Sequence, residues 1–429
     1  MRGKSDCVGA VDFGSREVRV IIARKELGGG LQIIGHGTAP GHGCVSQGVV
    51  QDLNAAQLAL KSALGEAEKE ARVKIRSLFC GINGRNVETF VREGQVRLES
   101  ESVERAHMDE ALDIASRDVL EAGKRVLSSI SAQEWYVDGL RVIDPNGIRG
   151  HVLKTRVHFA RIPAVIEDNI AQCIEAQRCE LEDVIFLPLA ASLGCLTPED
   201  TELGVALLDL GRTTTGLAVY RDRSIIGTHC FEWGGYHLTR DVSAGLHVSF
   251  EEADELIMEY GVSDEFINEE EEDAAIAVPF TRRRSVNAAN IKLKTTVHGA
   301  APIVPREQLD MVIYERAKEL LTKVRQNLHS RGHMKHLIRG LVLTGGSANI
   351  KNYVKLAEAV FQVPCRVGIP GSVESIPHAL KAPEFSAAIG IARHGFDFRG
   401  AQGKGHLSAS GPVASGARRL SKAFRKYFF

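Results

Sequence analysis

Short apolar runs separated by tight polar turns open the chain. Cys7–Asp12 is apolar and closes on Asp12 and Gly14, and Val18–Ala23 is apolar again. This pattern predicts strand, turn, strand, with Asp-x-Gly at the tip of a hairpin. Leu31–Gly35 is expected to add a third strand. The pattern returns about half a chain later. Gly204–Leu208 is apolar, Asp209 and Gly211 occupy the tip, and Leu217–Tyr220 runs back, with Ser224–Gly227 as a third strand. Apolar positions at helical spacing predict helices over Leu53–Ala71, Met108–Leu127 and Ile303–Asn327, the last with a proline-marked start. Leu341–Leu343 reads as a buried strand, followed by Thr344-Gly345-Gly346-Ser347 and a helix. Two copies of one hairpin predict a duplicated α/β fold: two sheets backed by helices, with a ligand cleft between them.

The bulk composition narrows the partners. The chain has 429 residues, enough for about two to four domains. Lys plus Arg total 53 against 54 Asp plus Glu, a balance that argues against a nucleic-acid binder. Eight cysteines are scattered without a CxxC pair, which favours buried free thiols in a reducing compartment over zinc or redox chemistry. The first residues form no apolar leader, and no run reaches the roughly 18 apolar residues of a membrane-spanning helix. The acidic run 269–273 and the basic run Arg282, Arg283, Arg284 read as solvated loop.

The two hairpin tips carry the candidate chemistry. Glycine lets backbone approach phosphate oxygens, and N–H groups and hydroxyls donate to them. Asp12, Gly14, Ser15 and Arg16 form the first loop, and Asp209, Gly211, Arg212, Thr213, Thr214 and Thr215 the second. Asp12 and Asp209 are candidate magnesium ligands, acting mostly through water because that ion dehydrates reluctantly. The glycine turn Gly345, Gly346 and Ser347, between strand and helix, is placed to receive an adenosine.

This order of loops resembles the actin, Hsp70 and sugar-kinase superfamily. The stretches Ile33-Ile34-Gly35, Gly48 to Leu53, Gln133 to Gly139, Gly204 to Gly211 and Leu343 to Gly346 are similar to the FtsA family of bacterial cell-division proteins, from Val8 to about Gly395. The resemblance implies an actin-like fold of two RNase-H-like halves around a nucleotide cleft. The first half would comprise 1–82, 162–195 and 371–395, interrupted by a family-specific subdomain over 83–161. The second would comprise 196–370, with an insertion at about 236–302. Residues 396–416 would be a flexible linker. The resemblance also implies binding of ATP and Mg2+, with Gly234 and Gly235 completing the pocket. Implied too are self-polymerisation, recruitment of FtsZ through its C-terminal tail, contacts with other division proteins, and work at the division site on the cytoplasmic face of the inner membrane.

Several positions depart from the family pattern. Ser15, Arg16 and Glu17 stand where two hydroxyls and a Lys are usual. The second loop lacks two glycines and its last acid, having Arg212, Thr213 and Gly216. Leu187, Tyr236 and Ile257 replace, respectively, a water-orienting Glu, an Asp and a Lys. Leucine cannot deprotonate or orient water, so ATP hydrolysis is expected to be very weak or absent. Arg212 either binds a phosphate or fills its space, and Glu17 is expected to repel one.

The end of the chain has its own pattern. From Gly400 to Gly416 it is rich in Gly, Ser and Ala, the composition of a flexible linker. On a helix over 417–429, Leu420, Ala423, Phe424, Tyr427 and Phe428 share one side, and Arg418, Arg419, Lys422, Arg425 and Lys426 the other. A basic face opposite aromatics predicts a helix lying in an anionic membrane interface. Five cations at about 1 kcal/mol each supply roughly 5 kcal/mol. Ordering the helix costs about 1 kcal/mol or more per residue, so the anchor is reversible in a monomer. Two other readings are a PilM-like adaptor of pilus assembly and a small-molecule kinase of the same superfamily. The basic terminal helix favours division over the first. The missing acids and the inserted subdomain disfavour the second.

Overall fold

The computed structural model describes residues 7–26, 30–41, 43–117, 119, 121–127, 132–268, 290–294, 302–371 and 376–402. The charged runs at 269–273 and 282–284, most of the expected linker and the 417–429 segment lie outside these residues.

The first hairpin forms as its apolar pattern dictates. Strands Cys7–Phe13 and Glu17–Lys25 pair antiparallel, and Leu31–Pro40 extends the sheet well past Gly35. Ser77–Ile82 and then Glu180–Phe186 add in parallel on the other edge of Cys7–Phe13. Parallel strands require crossover connections, which helices Leu53–Ala71 and Ala164–Glu175 help supply. Asp52 caps the former by accepting a hydrogen bond from the Ala55 amide at 3.0 Å.

The second sheet repeats this plan strand for strand. Val205–Leu210 and Thr215–Arg221 form the hairpin, and Ser224–Phe231 pairs antiparallel outside it. Leu341–Thr344 and Cys365–Val367 follow in parallel. Because order and direction match, Asp12 and Asp209 occupy equivalent strand ends, beside Gly81 and Thr344 on the neighbouring parallel strands. One buried apolar cluster, around Ile21, Leu60 and Phe79, also takes in Leu207, Ala218 and Val342 from the second sheet, and another, around Leu208, Ile313 and Tyr353, covers the alternate positions of that sheet.

A third core belongs to the segment inserted after Ile82. Strands Glu88–Arg97, Lys124–Val126, Ala132–Val137, Leu140–Val142 and Val152–Pro163 form one sheet, with helix Arg105–Ala115 packed on it. That helix is shorter than expected over Met108–Leu127. It ends at Ala115. The chain then turns, with Gly123 at φ 77°, so Val119 and Leu127 are buried from a turn and a strand end. Two other boundaries also differ. Ile303–Pro305 is a strand paired with Asn290–Lys292, and the helix runs Arg306–Ser330 with Pro305 before its first turn. Helix Ser386–Gln402 continues beyond 396, where the linker was expected to begin. Phe396 and Phe398 pack on the first core, and Arg399 bridges Glu182 at 2.6 Å. Among the described residues no helix is long and apolar enough to cross a membrane.

Candidate functional site

The two hairpin tips meet. The Ser15 and Thr213 hydroxyls, 198 residues apart, are hydrogen-bonded at 2.8 Å. The Gln47 amide also donates to Thr213 Oγ1, at 3.2 Å. Asn83 Nδ2 donates to Thr214 Oγ1 at 3.3 Å. Around this junction lies a cavity of about 150 Å³, lined on one side by Asp12, Gly14, Ser15, Arg16 and Asn83. Asp209, Gly211, Arg212, Thr213, Thr214 and Gly235 line the other, with Gly345, Gly346 and Ser347 at the remaining end.

Asp12 and Asp209 are both buried at the floor. Burial raises the Asp12 carboxyl above its ordinary range, and the nearby Arg19 partly offsets this. Asp209 is pushed up to about 7, mainly by burial and further by the Asp12 charge, against the pull of Arg19. Asp12 and Asp209 are the carboxylates here that could hold a divalent ion, although no cluster of three or more ligating side chains forms among the described residues, and the Arg19 charge acts on both. The buried Asn83 Oδ1 is left without a hydrogen-bond partner, and an added Cβ at Gly346 would meet nothing within 4 Å. The unfilled Asn83 acceptor suits a donor such as a sugar hydroxyl, and bare backbone at Gly346 leaves open space beside the loop. Gly345, at φ 82°, brings its turn against Asp209. A Cβ there would lie 2.6 Å from Asp209 Oδ1, and the backbone angle also disfavours one.

Other expected residues are committed elsewhere. Thr215 is buried, and its hydroxyl donates to the Trp233 carbonyl at 2.8 Å. The Gly235 amide donates to Gly211 O at 3.0 Å and the Tyr236 amide to Arg212 O at 2.7 Å, so this helix start holds the second loop. A Cβ at Gly234 would strike those same two carbonyls, which explains a glycine there without a ligand. Arg212 is paired with Asp254 at 2.7 Å and lies over the Tyr236 ring. Asp254 also accepts from Thr239. Glu17 is paired with Arg19 at 2.6 Å, which neutralises the charge expected to repel phosphate. Leu187 lines the cleft and packs over Gly81, beside Asp12; Ile257 lines the opposite wall.

The sequence reading missed Arg19, Asn83, Thr239, Asp254 and Glu384, all of which line the cleft. Arg19 carried a signal: strand alternation puts it on the face of Glu17, and hairpin register sets it opposite Asp12. Asn83 and Glu384 come from distant segments that only the tertiary fold brings in. Glu384 is held by Asn349 Nδ2 at 2.8 Å, near the glycine turn.

Comparison with known proteins bears on the family and the fold. A family model described as "Cell division protein FtsA" matches residues 206–390, and one described as "SHS2 domain inserted in FTSA" matches residues 84–160. The second match falls on the inserted sheet, and the two together cover more than half the chain. The cell-division protein FtsA of Pseudomonas aeruginosa is 28% identical over 388 residues, spanning 90% of this chain and 88% of its own length. The Escherichia coli K12 protein of that name is 26% identical over 428 residues, covering 97% of both chains. Among solved structures, a chain of the PilM-PilN type IV pilus biogenesis complex superposes with a TM-score of 0.63 at 14% identity, over 92% of this chain and 99% of that one. That last likeness is one of fold.

Proposed function

Because the chain belongs to the FtsA family of bacterial cell-division proteins, we propose that it is a membrane-tethered, actin-like scaffold that attaches the FtsZ ring to the inner membrane. The observation that carries the proposal is the meeting of two matched Asp-x-Gly hairpins at one cleft, beside the family's inserted subdomain. The sheets are read as two RNase-H-like halves, and the cleft as the seat of ATP with magnesium. Asp12 and Asp209 would hold the ion, Ser15, Thr213 and Thr214 the phosphates, and Gly345 to Ser347 the adenosine. Bound there, magnesium–ATP supplies a charged bridge between the halves. The residues around it position and bind. Leu187 and Ile257 neither orient water nor move a proton, so the nucleotide serves assembly more than turnover.

Polymerisation through actin-like contacts, an FtsZ-tail site at about 236–302 and membrane attachment by 417–429 complete the reading. Part of the 236–302 segment is structural: helices Gly235–Leu246 and Phe250–Tyr260 are buried along one side against the second core. The test is co-sedimentation of FtsZ with anionic vesicles, with and without this protein. FtsZ should pellet only when the protein is present, and a competing FtsZ tail peptide should release it. FtsZ that stays in the supernatant throughout would refute the adaptor role. Cross-linking of the tail peptide should map to 236–302; links confined to the first half would overturn that placement.

A further inference from the structure

A second cavity, of about 250 Å³, lies where the inserted subdomain meets the second sheet. Strand Val152–Pro163 presents Arg156 and His158 on one face, two residues apart. Arg221 and Ile225 come from the far end of the second hairpin. The turn after helix Arg306–Ser330 contributes Arg331, His333, Lys335 and His336. The two bodies are joined beside it: Thr89 Oγ1 donates to Thr228 O at 3.2 Å, and His158 Nε2 lies 3.3 Å from Thr228 Oγ1.

The charge in this cavity is one-sided. Glu134 is its one acid, and Arg156, Arg141 and Arg221 surround it at 3.3, 3.8 and 3.9 Å. Arg156 also meets Glu93, and Arg221 meets Asp222. Among the described residues no carboxylate pairs with Arg331 or Lys335. His158 is 95% buried by residue surface, lines the cavity, and has an Nδ1 with no hydrogen-bond partner. An unpartnered imidazole nitrogen in a cavity with a surplus of cations points to a missing anion, whereas Glu134 Oε1, also without a hydrogen bond, already has the charges of Arg141 and Arg221 within 3.9 Å.

We propose that this cavity is an anion site, distinct from the central cleft, that takes a small soluble phosphate-bearing ligand between Arg331, Lys335, Arg221 and Arg156. The half-enclosed position between two bodies suits a small solute, and guanidinium forks match phosphate oxygens. Such a ligand bridges the inserted subdomain to the second half, so its occupancy fixes the angle between them. The imidazoles report it. Burial, then Arg331 and His333, hold His158 down to about 4, and burial with Arg331, His336 and Arg221 does the same for His333. Burial and then Arg221 and Lys335 lower His336 as well. An anion bound among them raises all three, so its arrival is felt at the imidazoles.

The probe is inorganic pyrophosphate, titrated into the full-length protein while the histidine C2–H resonances and the binding heat are followed. The His158 and His333 resonances should move saturably. The surface double variant Arg331→Ala/Lys335→Ala should weaken that response by about tenfold or more. Asp209→Asn, which alters the central cleft, should leave the histidine response in place. Three outcomes overturn the proposal. One is that the resonances stay still at millimolar pyrophosphate. Another is that the double variant responds like the parent. The third is that only anionic phospholipid vesicles move them, which puts the anion in a lipid headgroup.

Discussion

Asp209 is the residue on which the cleft's electrostatics turn. Its carboxyl titrates near 3.8 in an unfolded chain and near 7 in the folded one. Between those values the folded state holds a proton that the unfolded state has lost. Stability from this group is therefore full below about pH 4 and falls as pH rises through 7. We expect Asp209→Asn to be more stable than the parent at pH 8 and to lose this advantage toward pH 4, measured by urea denaturation across that range. Magnesium with ATP should stabilise the parent at pH 8, because a cation removes the repulsion between Asp12 and Asp209, and should do less for the variant. A parent protein whose stability is flat from pH 4 to 8 would refute the coupled pair. Leu187 carries a second expectation. Phosphate release from ATP should be very slow, because leucine offers no base where it packs beside Asp12. Rapid release that disappears in Asp209→Ala would place a working hydrolytic group in the cleft after all.

At the scale of elements, close backbone approach locks the first half. Helices Leu187–Cys195 and Ser386–Gln402 cross so tightly that a Cβ at Gly390 would lie 1.6 Å from the Ala190 carbonyl oxygen. Gly390→Ala should destabilise the protein by about 1–3 kcal/mol or more, read as a lower urea midpoint. An unchanged midpoint would show that the crossing relaxes freely. Such contacts were not legible in the sequence, where Gly390 is one of 42 glycines. The hairpins were legible, because apolar runs around Asp-x-Gly leave few alternatives to strand, turn, strand. Helix Leu53–Ala71 was legible from its apolar spacing, and the structure adds the Asp52 cap at its start. The end of helix Arg105–Ala115 was not. Val119 and Leu127 keep a helical spacing, yet in another conformation Val119 is buried in the inserted subdomain's core and Leu127 in the first core. The same limit applied at the site. Ser15 and Thr213 were readable as loop residues, whereas the Asp254 that holds Arg212 is set by how helix Phe250–Tyr260 docks.

For the whole molecule, the proposal to be tested is that a body with two large buried clusters and an inserted third is attached to a membrane by its tail. It rests on the 417–429 segment, in which five cations and five apolar residues divide between the two sides of a helix. Attraction of roughly 5 kcal/mol from those cations, together with burial of large apolar side chains at about 1.5–3 kcal/mol each when complete, is largely offset by ordering at about 1 kcal/mol or more per residue, so one copy binds weakly. Linked copies bind far more tightly, because once one tail is seated the next binds at high effective concentration. Pelleting with anionic vesicles should therefore rise steeply with protein concentration and fall in high salt, since screening weakens the charge term. Phe424→Glu puts a carboxylate in the centre of the apolar side and should abolish pelleting, as should truncation before Ala417. Both variants should keep the parent's thermal stability if, as proposed, the Gly-, Ser- and Ala-rich stretch to Gly416 sets the tail apart from the folded body. Neutral vesicles should retain little protein in every case. Truncated protein that pellets with anionic vesicles as the parent does would move the attachment to the folded body and end this account of the tail.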